Sequence, residues 1–241
     1  MAALQSLLDR IPSRCPLCQL SARGGHLCSG CAADFFSTRQ ARHLCLKCGC
    51  NTEGGQRICP SCQRVPSSID ALICAVDYDF GGKALIQMYK QHKQLALASL
   101  LGALMAKAYD PWRGRLRVTA WVPIPASSAR LRRNGYSPAQ QLARVVAKRT
   151  DTPWRLDWLK QTREHPPQKT LNRSERLEAV AGRFVASPAV RGACVGLVDD
   201  VVTTASTVRA AADALKAAGA QSVLVLAAAR TVQRHPSDIA P

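Results

Sequence analysis

Aromatic side chains are scarce in this chain: four each of Trp, Tyr and Phe among 241 residues. They do not alternate with basic residues as a stacking platform for single-stranded nucleic acid would, so that mode of recognition has no signature here. Acidic side chains are also few, with 16 Asp and Glu against 33 Lys and Arg and a formal charge of +17. Long apolar runs are missing. No stretch of about eighteen apolar residues could cross a membrane as a helix, and no basic segment followed by an apolar core reads as a secretion signal. These absences predict a cytoplasmic protein with no membrane insertion. There is no His/Glu metal triad either, which excludes a zinc hydrolase, whose metal must keep a position open for water.

Cysteine, by contrast, is abundant. Nine of the eleven cysteines lie in the first 62 residues, and eight form four C-x-x-C pairs: Cys15/Cys18, Cys28/Cys31, Cys45/Cys48 and Cys59/Cys62. A reducing compartment and a chain of this size favour metal ligation over disulfides. The spacing suits two consecutive zinc ribbons, and a crossed pairing, first with third and second with fourth, satisfies the same count. Four thiolates leave no open position, so two structural zinc ions are expected. They would lower the net charge to roughly +13. Cys50 is a ninth thiol of undecided role. His26 and His43 lie beside ligands but are surplus, because four pairs already fill two sites. Cys74 and Cys194 read as buried, inert thiols. Residues 15 to 64 carry few large apolar side chains and cannot build a core without metal. Residues 1 to 14 read as a short amphipathic lead-in, with Leu4, Leu7, Leu8 and Ile11 at helical spacing. The expected units are a double zinc-ribbon module over 1–65 and a second domain over 66–241.

After Pro66 the pattern alternates. Ala71–Val76 reads as a buried strand, followed by helical tracts from Lys83 and over Leu95–Ala108. Val118–Val122 reads as a strand closed by Pro123-Ile124-Pro125. Ser137 caps a helix with Pro138 at its first position. Residues 160 to 178 are polar and basic, with Pro166 and Pro167, and read as a mobile loop. Strands over 195–198 and 223–227 flank a helix over 206–218. This order predicts an α/β fold, a parallel sheet with helices on both faces, whose ligands bind beyond the carboxyl ends of the strands.

The run Val195-Gly196-Leu197-Val198-Asp199-Asp200-Val201-Val202-Thr203-Thr204-Ala205-Ser206-Thr207 carries the most chemistry. Two carboxylates and a hydroxyl-rich turn precede a helix. Free N–H groups and the positive end of the helix dipole cradle phosphate there, and the carboxylates can accept hydrogen bonds from sugar hydroxyls. A phosphorylated sugar is the natural ligand. Arg130, Arg132 and Arg133 follow the Pro123–Pro125 turn and offer forked donors to pyrophosphate.

At these residues the chain resembles the type I phosphoribosyltransferases. It also resembles the ComF/GntX family in the order of Val122-Pro123-Ile124-Pro125, Leu131-Arg132-Arg133-Asn134-Gly135-Tyr136, Thr162, Gln168, Glu175-Arg176, Gly182-Arg183-Phe184, the Asp-Asp loop and Ala229-Arg230, behind four cysteine knuckles. The resemblance covers nearly the whole chain. It implies a type I phosphoribosyltransferase-like domain preceded by a double zinc ribbon, binding 5-phosphoribosyl-1-pyrophosphate with Mg2+ and serving natural competence and DNA uptake through pentosyl transfer. By the same resemblance Asp199 and Asp200 hold the ribose hydroxyls, and Thr203, Thr204, Ala205, Ser206 and Thr207 bind the 5-phosphate. Arg132 or Arg133 and backbone groups near Ile124 meet the pyrophosphate, and the 160–178 loop closes over the site. Single-stranded DNA and a competence-machinery protein such as a helicase are the implied partners. The chain departs from the pattern with Ala205 in place of Gly, Gly196 in place of a large aliphatic residue, Gly135-Tyr136-Ser137-Pro138 in place of Gly-Phe-Asn-Gln, and no Asn near Ala179.

A second reading follows from charge. Residues 111 to 176 hold 15 basic against 4 acidic side chains, a stretch that draws anions of any kind. That suits a nucleic-acid-binding or adaptor protein whose transferase pocket is vestigial or senses a nucleotide.

Overall fold

The computed structural model describes residues 10–40, 43–52, 55–91, 94–162 and 183–231. The cysteine-rich segment consists of two similar halves. In the first, β1 (Pro12–Arg14) and β2 (Ser21–Arg23) pair antiparallel around one knuckle, and α1 (Ser29–Gln40) begins between the cysteines of the next. In the second, a single bridge between Leu44 and Asn51 replaces the hairpin, and α2 (Pro60–Arg64) plays the part of α1. The turns match: the Cys15 N–H donates to the Leu20 carbonyl and the Cys45 N–H to the Cys50 carbonyl, each at 2.8 Å. Both knuckles then turn through a left-handed residue, Gln19 at φ 61° and Gly49 at φ 71°. Residues 12 to 14 are strand, not part of a helical lead-in, because the knuckle is built on this hairpin. Leu4, Leu7 and Leu8 lie outside the described residues.

Beyond the cysteines come β3 (Ala71–Asp77), α3 (Phe80–Lys90), α4 (Leu97–Tyr109), β4 (Ala120–Pro123), α5 (Ser128–Asn134) and α6 (Pro138–Thr150). They are followed by β5 (Leu159–Gln161), β6 (Phe184–Ala186), β7 (Cys194–Val202), α7 (Ser206–Ala217) and β8 (Ser222–Arg230). The main sheet has the order β3-β8-β7-β4, and every pair is parallel. Leu85 of α3, Leu101 of α4 and Leu142 of α6 pack with Trp121 on one face. Val208 and Leu215 of α7 pack on the other with Leu159 and Phe184 of the antiparallel β5–β6 pair. Burial on both faces is why the strands read as unbroken apolar runs. Each such leucine contributes roughly 1.5–3 kcal/mol. The α6 cap is as expected, with the Gln140 N–H donating to Ser137 Oγ at 3.3 Å and Pro138 in the first turn.

Two of the boundary differences from the sequence reading bear on the site. β7 does not end at Val198 but runs on through the acidic pair, because β8 offers it a parallel partner as far as Val202–Arg230. Residues 160 and 161, read as loop, are strand in β5, where Leu159 buries against the α7 side. Residues 163–182 lie outside the described residues, and with them Gln168, Glu175, Arg176, Gly182 and the expected loop closure.

Gly196 has a specific reason. It lies opposite Trp121 in the β4–β7 register, and a Cβ there would stand 2.3 Å from Trp121 Cε3 and 2.9 Å from Val118 Cγ1. The indole occupies the volume that an aliphatic side chain would otherwise take.

Candidate functional site

The cysteines form two groups of four, Cys15/Cys18/Cys28/Cys31 and Cys45/Cys48/Cys59/Cys62, with all sulfurs of each group within 4.8 Å of one another. Consecutive pairing is therefore the arrangement, and the crossed one is not formed. A tetrahedron with 2.3 Å metal–sulfur bonds has edges of about 3.8 Å. Cys18 Sγ and Cys28 Sγ are 3.5 Å apart, and Cys48 Sγ and Cys59 Sγ 3.8 Å, far beyond a disulfide bond. The electrostatics fit a cation too. Burial works upward on Cys15, but nearby backbone N–H groups outweigh it and bring the thiol down to about 6. Cys45 falls to about 7 by the same opposition. Burial and the neighbouring thiols push Cys31 and Cys62 well up. Four crowded thiols cannot all ionise unaided, and a divalent metal removes that conflict. Both groups suit zinc in a closed, structural role.

Cys50 stands outside the ligand set. It occupies the position of Leu20 in the first half, and its sulfur faces Arg230 at 3.5 Å.

At the carboxyl end of the sheet, Asp199 and the segment Val201–Val208 line one small, open cavity. Thr203, Thr204 and Ser206 are exposed at its mouth, and Thr204 Oγ1 and Ser206 Oγ lie 3.0 Å apart. α7 begins at Ser206, so the free N–H groups of its first turn face the same space. Ala205 enters that turn at φ 63°, the left-handed region. The position at which the related pattern has Gly is thus one where the backbone asks for it.

The acidic pair divides between two surroundings. Asp199 is half-buried in the cavity wall, while Asp200, 6% exposed, turns away to an ion pair of 2.7 Å with Lys90 at the end of α3. The Asp199 Oδ1 accepts from the Asp200 N–H at 2.8 Å, and Asp200 Oδ1 from the Val201 N–H at 2.7 Å. Burial first, and the Asp200 carboxylate next, push Asp199 up to about 8. Two tyrosines close the Lys90 side: Tyr136 Oη donates to the Tyr89 carbonyl and Tyr89 Oη to the Pro138 carbonyl, both at 2.8 Å.

Ile124 follows β4 directly beside the acidic strand. Its N–H donates to the Val198 carbonyl at 2.8 Å and its side chain is buried, so that amide is not open to a phosphate. Arg132 and Arg133 are exposed on α5. Lys90 was missed in the sequence, where its only signal is a cation in the last turn of a helix. Arg230 was noted there only within a motif. Buried at 3% exposure, it donates to the carbonyls of Cys48, Val202, Thr203 and Thr231.

A family model described as phosphoribosyl transferase domain matches residues 131–239. The DNA utilization protein YhgH of Escherichia coli (strain K12) is 28% identical over 227 residues, which cover 92% of this chain and 99% of that protein. Competence protein F of Haemophilus influenzae is 26% identical over 210 residues, 85% of this chain and 90% of that protein. A solved glutamine phosphoribosylpyrophosphate (PRPP) amidotransferase from B. subtilis, complexed with ADP and GMP, is 23% identical at a TM-score of 0.37, covering 53% of this chain and 25% of its own. The chain carries a phosphoribosyltransferase-type domain behind two four-cysteine clusters and is homologous to the YhgH and competence F proteins.

Proposed function

We propose that this protein binds 5-phosphoribosyl-1-pyrophosphate with Mg2+ and serves DNA uptake or utilization in the cytoplasm. The observation that carries the reading is the cavity in which one carboxylate, Asp199, faces a hydroxyl-lined helix start. Thr203, Thr204, Ser206 and Thr207, with the first amides of α7 around Ala205, take the 5-phosphate. Asp199 accepts from ribose hydroxyls, and Lys90 holds Asp200 behind it. Arg132 and Arg133 are on the helix that follows β4, next to β7 in the sheet, and meet the pyrophosphate from that side. Asp199 is the described carboxylate suited to Mg2+, which would neutralise pyrophosphate charge while keeping most of its ligands as water and phosphate oxygen. In pentosyl transfer the bond from C1 to pyrophosphate breaks and a bond from an acceptor nucleophile to C1 forms. Residues 1–65 act as the metal-folded module and 66–241 as the transferase-like domain.

The test is calorimetric titration of the zinc-loaded full chain with 5-phosphoribosyl-1-pyrophosphate and Mg2+, beside Asp199→Asn and a Ser206→Ala, Thr207→Ala variant. Binding by the parent that is lost in both variants is expected. Absence of binding by the parent overturns the reading.

A second reading is favoured by the basic excess over 111–176: single-stranded DNA binds this stretch of the chain by phosphate contacts, as an adaptor to a helicase-type partner would need. Affinity that does not fall steeply with salt would refute it.

A further inference from the structure

Arg230 closes β8, and its guanidinium touches two parts of the molecule that the chain keeps far apart. Nε donates to the Cys48 carbonyl at 2.8 Å, and Nη2 lies 3.5 Å from Cys50 Sγ. Nη1 donates to the carbonyls of Val202 at 3.1 Å, of Thr203, and of Thr231 at 2.9 Å. Val202 ends the acidic strand and Thr203 opens the hydroxyl loop. One planar fork therefore reaches from a metal-ligand residue to the phosphate cradle. Its N–H directions are fixed relative to one another, so acceptors on one side cannot shift without disturbing those on the other.

The second knuckle is seated on the sheet at further points. The Leu72 N–H donates to the Leu46 carbonyl at 2.7 Å, and Lys47 Nζ to the Ile69 carbonyl at 2.5 Å. Gly49 packs so closely that a Cβ would stand 2.9 Å from Leu72 Cδ2 and 3.8 Å from Arg230 Cδ. The first knuckle has the same turn, but Leu20, in the position of Cys50, is 66% exposed, and none of the Arg230 acceptors belongs to it. The molecule thus contains its own control.

We propose that Arg230 is a positioning residue that makes the second four-cysteine cluster part of the sugar-phosphate site, so that metal held by Cys45, Cys48, Cys59 and Cys62 sets the conformation of the Thr203–Thr207 loop. With metal bound, the Cys48 peptide is fixed by its own thiolate, and the fork transmits that position to the Thr203 carbonyl. Without metal the four thiols share no partner, and the knuckle loses its closure. A buried guanidinium short of acceptors then moves to find others, and the loop moves with it. The first half meets the sheet core through Leu17 and Leu27 and through α1 against β3, but none of the Arg230 hydrogen bonds reaches it. Only the identity of the loop's ligand rests on the proposed function; the coupling does not.

The test follows amide hydrogen exchange by mass spectrometry in the fragment containing Thr203–Thr207, on the zinc-loaded full chain without ligand. Cys62→Ser in the second cluster should speed loop exchange by about tenfold, and Cys31→Ser in the first should change it less than about twofold. If Cys62→Ser does not fold, zinc is withdrawn from the parent protein with a chelator, the loss being counted by native mass spectrometry. In Arg230→Lys, which keeps the charge but not the fork, the loop should exchange at the fast rate whether or not the second cluster holds zinc. A purely structural arginine would leave that zinc dependence intact. Loop exchange that ignores zinc in the parent, responds equally to both clusters, or keeps its zinc dependence in Arg230→Lys overturns the proposal. Titration of the parent with 5-phosphoribosyl-1-pyrophosphate tests the ligand separately, so the two ideas can fail independently.

Discussion

Replacing Gly196 with alanine tests how tightly the strand bearing the acidic pair is built. The new Cβ would lie 2.3 Å from Trp121 Cε3, 2.5 Å from Cζ3 and 2.9 Å from Val118 Cγ1. Trp121 has nowhere to go: it is fully buried, its Nε1 donates to Thr150 Oγ1 at 2.8 Å, and Tyr109 meets it edge-on with centroids 5.0 Å apart. Overpacking of this kind costs about 1–3 kcal/mol, and loosening the indole hydrogen bond adds about 1 kcal/mol. The expected loss is about 2–4 kcal/mol, or roughly 5–15 °C in Tm for a chain of this size. Urea unfolding of the zinc-saturated protein should show a lower midpoint at unchanged slope. In a Trp121→Leu background the same alanine should cost less than about 1 kcal/mol, because the two side chains compete for one volume. A Gly196→Ala protein within about 0.5 kcal/mol of the parent would refute this account of the strand.

Ala205→Gly should stabilise the protein by about 0.5–1 kcal/mol, since relief of left-handed strain outweighs the added freedom of the unfolded chain; a lower urea midpoint would contradict it. The Asp199 carboxyl is raised in the folded state, so its contribution to ligand-free stability is full below the unfolded value of about 4 and is lost as pH rises through about 8. Asp199→Asn should therefore flatten the fall in stability between about pH 4 and 8, and parallel pH profiles of parent and variant would count against that assignment. Lys90→Met leaves the Asp200 carboxylate without its cation in a nearly closed setting. A cost of about 1–2 kcal/mol is expected, discounted for the partial exposure of Lys90, and Asp200→Asn should recover most of it in a double-mutant cycle.

The parts of this architecture that were legible in the sequence are those with local causes. C-x-x-C pairs declare thiolate clusters by spacing, and Val195–Thr207 shows strand, carboxylates and hydroxyl turn in contiguous order. The pairing of the knuckles was not legible, because both pairings satisfy the same ligand count. Gly196 could not be explained from its neighbours in the chain, since its cause, Trp121, is on the adjacent strand. The extent of β7 depended on β8 in the same way. Lys90 reaches Asp200 across the sheet, and Arg230 reaches Cys48 from the far end of the chain. Single charged residues with distant partners leave no periodicity to read.

The position of β8 also bears on how this molecule is made. It is the last of the four parallel strands to be synthesised, yet it lies between β3 and β7, and Ala71 meets Leu224 while Val195 meets Val223. Until Ser222–Arg230 leaves the ribosome, the first strand and the acidic strand share no edge. The knuckles, with all their ligands at or before Cys62, can close around metal long before. At about 5–20 residues per second the second knuckle then waits roughly ten to thirty seconds for the strand that seats it. A truncation that removes β8 would accordingly not trim the sheet but divide it, leaving β3 and the β7–β4 pair with no shared strand edge and only helix packing, α4 on α6, between them.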